Sequence, residues 1–146
     1  MKFMMIIKSS TATEAGAVPS LELLDALGRF NEDMIRAGIL RDAAGLMPSN
    51  RGARVTTGAR PRVVHGPFAG PRDLVAGFWI IEVASLAEAV DWARRSPGPQ
   101  MGDDGGGIEI RQMYEPEDFA DLAGDALSDG PSGEQIQDRY GMPPRA

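Results

Sequence analysis

Hydrophobic and polar positions along this chain fall into blocks whose period changes. In "KFMMIIK", Phe3, Met5 and Ile7 lie on one side of an extended chain and Met4 and Ile6 on the other. Both sides are apolar, which predicts a strand in the middle of a sheet. "SSTATEAGAVP" reads as a loop by composition. From Ser20 the period lengthens: Leu23, Leu24, Leu27, Phe30, Met34 and Ala37 recur at steps of three and four. That spacing predicts an amphipathic helix, with Ser20 as its N-cap, Glu22 in the first turn and Gly38 as its stop. "ILRDAAGLMPS" predicts a strand ending at Pro48, and "ARVTT" and "PRVVH" flank a turn-like "GA" as the arms of a hairpin. "LVAGFWIIEV" is the strongest strand signal, β-branched, aromatic and apolar on both alternations except at Glu82. Ser85 to Glu88 forms a capping box for a helix carrying Leu86, Ala89, Val90 and Ala93 and ending at Pro97. A loop, "PGPQMGDDGGG", leads to a last strand, "IEIRQMY".

The order strand, helix, strand, hairpin, strand, helix, strand predicts an α+β fold, a ferredoxin-like β-α-β-β-α-β frame with an inserted hairpin. Two helices on one side of such a sheet leave the other side bare. Met4, Ile6, Phe78 and Ile80 would meet water there, so a homodimer packed sheet to sheet is expected, with a barrel-like core or a cavity between the sheets. The domain is expected over 1–116. Residues 117–146, rich in Asp, Gly, Pro and Ala, read as a tail that is disordered or lies along a partner subunit.

Composition narrows the partners. The 146 residues carry a formal net charge of -6, and Lys2 and Lys8 are the only lysines. Neither a phosphate backbone nor an acidic membrane surface suits that charge. There is no cysteine, which removes disulfides, thiolate chemistry and cysteine-held zinc, and one histidine cannot build a multi-histidine metal site within a subunit. "GDDGGG" lacks the lysine and the helix of a phosphate-binding loop, so no cofactor or metal is expected. The apolar runs "FMMII" and "GFWII" are too short to span a membrane or to serve as the core of a signal peptide, and a cytoplasmic location is expected.

The single histidine, His65, ends a predicted strand in "VVHGPFAGPRD". An imidazole titrates near neutral pH and can act as acid or base, given a carboxylate to orient it. Asp42, Asp73 and Glu82 are the candidates by topology. Arg72 and Arg111 could hold an anionic substrate by bidentate contact; the plainer alternative is ion pairing with Glu82 or Glu109. "HGPFAG" has no Ser or Cys at its centre and is not a nucleophile elbow. Ser49 and Ser96 have no base beside them in the sequence.

The run "VVHGPFAGPRDLVAGFWIIEVASLAEAVDWARRSP", then "GGGIEIRQMYE", together with the upstream "AGIL" and "GLMPS", resembles the DGPF branch of the YciI-like (YCII-related) proteins over residues 1 to 116. His65 stands where that branch carries Asp, and Arg72 where a Lys is common. The resemblance implies a dimeric α+β barrel of ferredoxin-like subunits with no settled activity. YciI-like members are suspected enzymes through a His and Asp pair in a cleft. Some DGPF proteins are associated with extracytoplasmic-function sigma factors.

Two functions follow as expectations. One is a small-molecule enzyme in which His65 is the acid or base, Asp42 or Glu82 orients it and an arginine holds a carboxylate or enolate. The other is a non-catalytic ligand-binding or regulatory module. The first requires His65, a carboxylate and an arginine around one cavity; the second places His65 at a rim.

Overall fold

A computed structural model describes residues 1–97 and 107–119. The elements run β1 (Lys2–Lys8), α1 (Thr11–Glu14), α2 (Leu21–Arg36), β2 (Leu40–Gly45), β3 (Ala53–Thr56), β4 (Arg62–His65), β5 (Val75–Glu82), α3 (Leu86–Arg95) and β6 (Ile108–Gln112). The fold is α+β with antiparallel sheets. One sheet has the order β2-β5-β1-β6 and the other is the hairpin β3-β4. Residues Met1–Met113 make one compact unit. A second begins at Tyr114; in its described part Pro116–Phe119 forms a 3-10 turn, with the Tyr114 and Phe119 rings 5.0 Å apart. The glycine-rich loop up to residue 106 and the acidic tail beyond Phe119 lie outside the described residues.

The two strands with the densest apolar pattern, β1 and β5, occupy the middle of the sheet and pair with each other from Lys2↔Glu82 to Lys8↔Val75. Their two sides fare differently. Phe3, Met5, Trp79 and Ile81 are buried, whereas Met4, Ile6, Phe78 and Ile80 on the other side are only half-buried. Phe30 and Met34 of α2 and Ala89 and Trp92 of α3 join the buried side in one core. Phe30 is its hinge: its ring meets Trp79 edge-on at 5.5 Å and Trp92 at 6.1 Å, the offset geometry that aromatic quadrupoles favour. The Trp79 indole N–H donates to Asn31 Oδ1 at 2.8 Å, so the one polar atom of this buried ring is satisfied.

The caps fall where the sequence puts them. Ser20 Oγ accepts from Leu23 N and Gly38 ends the helix at positive φ. Ser85 Oγ accepts from Glu88 N, but Glu88 reaches back one residue further than a capping box requires, to Ala84 N. Two expectations change. The segment read wholly as loop holds the helix α1, capped by Ser10, whose Oγ accepts from Thr13 N. The strand expected to run to Pro48 stops at Gly45, and the chain turns through a 3-10 turn at Ser49–Arg51. Among the described residues no helix is long and apolar enough to cross a membrane.

Met34 is fully buried and the next residue, Ile35, points out of the same helix. Met34→Ala is expected to cost about 2–5 kcal/mol and Ile35→Ala no more than about 0.5, read from urea unfolding midpoints.

Candidate functional site

The structure does not gather the six sequence candidates into one site. His65 is exposed at the end of β4, its backbone opposite Ala53, and no hydrogen bond or ion pair joins it to another side chain among the described residues. Asp42 lies on β2 and accepts from the N–H of Ala43 at 2.8 Å. Glu82 is held by Arg41 at 2.8 Å. This bond, with the charges of Arg41, Lys2 and the N-terminus, outweighs burial and keeps the carboxyl below its ordinary pKa. A carboxylate so held is a weaker base at neutral pH. Arg111 pairs with Glu109 at 3.2 Å, the ion-pair alternative. Arg72 and Asp73 lie exposed on a 3-10 turn, Pro71–Asp73.

What the structure does bring together is a cluster the sequence hid. Glu14, at the end of α1, accepts from Ser9 Oγ at 3.2 Å, from Ser49 N at 3.0 Å and from Ser49 Oγ at 2.5 Å. Ser49 Oγ in turn accepts from Phe68 N at 2.9 Å. Burial raises the Glu14 pKa, but the bonds from Ser49 and Ser9 prevail and hold it below the ordinary 4.5. Ser49 therefore does have a carboxylate beside it, 35 residues away in the chain. That carboxylate is a poor base, and the hydroxyl is already engaged on both sides, so the cluster is a clamp rather than an activated nucleophile. It ties α1, the turn after β2 and the segment after β4. The backbone packs as closely: a Cβ at Gly66 would stand 1.8 Å from Ser49 O, so no other residue fits there. The motif "HGPF" thus has a packing reason, and it fixes His65 one residue from the Ser49–Asn50 backbone. The signal for this clamp was local. "SSTATE" carries an N-cap serine three residues before Thr13, a helix start that its loop-like composition concealed.

Beside the clamp lies a groove of about 740 Å³, where α2 parts from the sheet. Leu23, Leu24 and Leu27 of α2, Leu46 and Met47 after β2, and Trp79 form its apolar walls. Thr13, Lys8, Asn50, Arg51 and Ser96 supply polar atoms. Arg51 has no side-chain hydrogen bond or ion pair among the described residues, and the buried Ser96 Oγ has no partner there either. Among the described residues no histidine or carboxylate lines the groove. Gly66, the residue after His65, packs on the backbone of Ser49 and Asn50, and Asn50 lines the groove. Among the described residues no group of three or more His, Asp or Glu side chains could hold a metal ion.

The clamp has a pH signature. The folded pKa of Glu14 lies below its unfolded value, so its contribution is complete above about pH 4.5 and is lost as pH falls through the folded value. Wild-type urea midpoints are expected to fall more steeply as pH drops below about 4.5 than those of Glu14→Gln. Ser49→Ala, which strands the Phe68 N–H, is expected to cost about 1–3 kcal/mol at pH 7.

An uncharacterised protein of Rhizobium meliloti (strain 1021) is 39% identical over 69 residues, 47% of this chain and 56% of that protein. The chain thus spans little more than half of that relative. A solved structure of 5-chloro-2-hydroxyhydroquinone dehydrochlorinase from Burkholderia phenoliruptrix AC1100, in complex with 2,5-dihydroxybenzoquinone, has 13% identity and a TM-score of 0.44. The match covers 81% of this chain and 98% of that one; a similarity that shallow bears on neither substrate nor mechanism. The YCII-related domain matches residues 1–115, nearly all that the described structure contains, and the chain belongs to the YCII-related family.

Proposed function

We propose that this protein binds a small, mainly apolar organic molecule with one anionic group, in the groove between α2 and the sheet. The observation that carries this reading is the groove's mouth. Val18, Leu24, Leu46 and Met47 are large apolar residues left exposed, and all four line it. A soluble protein rarely leaves apolar groups clustered in this way without a use for them. The size fits as well: ligand cavities run about 300–1,000 Å³, mostly apolar with a few polar groups that fix orientation. The guanidinium of Arg51, unpaired among the described residues, suits a carboxylate, enolate or phenolate oxygen. The unpartnered Ser96 hydroxyl can donate to a second oxygen.

This is the binding reading of the two, and the composition of the groove supports it over catalysis: among the described residues its walls hold no histidine or carboxylate. A second reading survives on one observation, the nearness of His65 to the rim through Gly66 and Asn50. In it a bound molecule reaching out of the mouth meets the imidazole as acid or base, and the protein is a small-molecule enzyme. The "HGPF" turn and the "GFWIIEV" strand support membership of the DGPF branch. The strand order with both helices on one side supports a ferredoxin-like arrangement.

Calorimetry with 3-phenylpropionate and hexanoate, against their neutral amides, tests the proposal. Arg51→Ala is expected to weaken the acids at least tenfold and leave the amides unchanged, while Leu24→Glu weakens all of them. Absence of binding by every probe, or equal binding to wild type and Leu24→Glu, overturns it. His65→Gln is expected to leave affinity unchanged; a loss of turnover of a bound acid in that variant alone would favour the enzyme.

A further inference from the structure

The groove has two lips, and each of them buries little. One is the segment between α1 and α2, where residues 16–19 line the groove. The other is the stretch after β2, where residues 46–48, Asn50 and Arg51 line it. None of these residues belongs to the core. Helix α1, which leads into the first lip, has no buried residue either. Apolar packing therefore does not fix the distance between the lips.

Hydrogen bonds do. Glu14 ends α1 just before the first lip, and Ser49 lies within the second. Glu14 Oε2 accepts from both Ser49 donors, N–H and Oγ–H, and Oε1 accepts from the Ser9 hydroxyl. Ser9 N in turn donates to Leu74 O, so the first lip is tied to the chain before β5 as well as to the second lip. Neither Glu14 nor Ser49 lines the groove; they bridge its mouth from outside.

We infer that Glu14 and Ser49 are positioning residues for the groove, holding its lips at the spacing a ligand needs, and that protonation of Glu14 loosens them. This rests on the groove as the binding site and adds a control of its width. The chemistry of the contact sets the sign. An ionised carboxylate accepts at both oxygens, and such charge-assisted bonds are about twice as strong as neutral ones. A proton on Oε2 would face two donors from Ser49. It goes to Oε1 instead, where the Ser9 hydroxyl can turn to accept it, and the bonds from Ser49 lose their charge assistance. Burial raises the Glu14 pKa, but the bonds from Ser49 and Ser9 outweigh it, so this geometry suits the ionised form. A ligand that needs the lips joined then binds more weakly as Glu14 gains its proton. By reciprocity the bound ligand holds the Glu14 pKa lower still.

Other charged or titratable groups stand on the elements around Glu14. They are Lys8 at the end of β1, Arg51 on the turn after β2, His65 at the end of β4, and Arg72 and Asp73 on the turn before β5. The Lys8 ammonium reaches Glu109 instead, at 3.8 Å. None of the five is among the causes that shift Glu14. Asp73 is the other carboxyl in this set, which makes it the control.

Calorimetry with 3-phenylpropionamide tests the coupling, because this probe has no acidic group of its own. Wild type is expected to bind it at pH 7 and to lose at least about fivefold in affinity as the pH drops below about 4.5, over the range in which circular dichroism shows the fold intact. Glu14→Gln copies the protonated carboxyl. It is expected to bind at pH 7 as weakly as acidified wild type, with no further change on acidification. Ser49→Ala is expected to show the same loss at pH 7, and Asp73→Asn to follow wild type throughout. In carbon-13 spectra, saturating amide is expected to lower the Glu14 pKa, which a residue serving the fold alone would not show. No binding to wild type at pH 7 overturns the groove reading and the inference together. Binding to wild type that Glu14→Gln matches at pH 7, or a Glu14 pKa unmoved by the bound amide, overturns the inference alone.

Discussion

An antiparallel sheet has two sides, and this one makes both of them apolar while packing only one layer of helices. The architecture follows from that constraint. Side chains alternate across a strand, so the central pair β1 and β5 presents Phe3, Met5, Trp79 and Ile81 to the helices and Met4, Ile6, Phe78 and Ile80 to the other side. The helices bury the first set around Phe30. Nothing among the described helices reaches the second. Burial of apolar surface is the dominant favourable term in folding and association, so an uncovered quartet in the centre of a sheet is a driving force left over.

The clamp answers a different need. The loops at one end of the sheet, the hairpin and the short helix α1 contribute almost nothing to the core; α1 and both hairpin strands contain no buried residue. Hydrogen bonds and close backbone packing hold them instead. The carboxylate of Glu14 gathers three donors, and Ser49 passes the connection to Phe68. Arg54 lies over the Phe68 ring at 4.1 Å and binds the hairpin to the same point. Hydrogen bonds to a charged group are worth about 1.5–3 kcal/mol each, so a few of them can fix a segment that buries little. One residue along the chain from this anchor, His65 is held in place at its backbone with its ring left free.

The fold was legible wherever period and caps agreed. Leu23 to Met34 repeat at three and four and end at Gly38, and the helix lies there. The alternation in "LVAGFWIIEV" produced the central strand β5. The candidate site was far less legible. His65 drew attention as the lone histidine, a property of composition that says nothing of its neighbours. Glu14 and Ser49 meet across 35 residues through two turns, and no periodicity encodes such a meeting. Arg51 and Ser96 gain interest from the partners they lack, which only packing reveals. Asp42, Glu82 and Arg111 were chosen as chemistry; the register places them on the open face, and Asp42 and Arg111 at opposite ends of one row.

The groove itself follows from unequal helix lengths. At about 1.5 Å per residue, α2 with 16 residues is about 24 Å long and α3 with 10 is about 15 Å. Both are pinned to the core, and the buried residues of α2 are Phe30 and Met34, in its second half. The first half continues the same apolar stripe through Leu23, Leu24 and Leu27, of which Leu27 still packs against the core and Leu24 is exposed. The four-residue α1 buries nothing and does not close the gap. An apolar stripe extended by two turns beyond its partner must find another surface or remain open. Here it remains open beside Trp79, with Arg51 and Ser96 unpaired within it among the described residues. A helix cut back to the length of α3 would keep the core and lose the groove. The extra turns of α2 thus add little to the core and shape the groove instead.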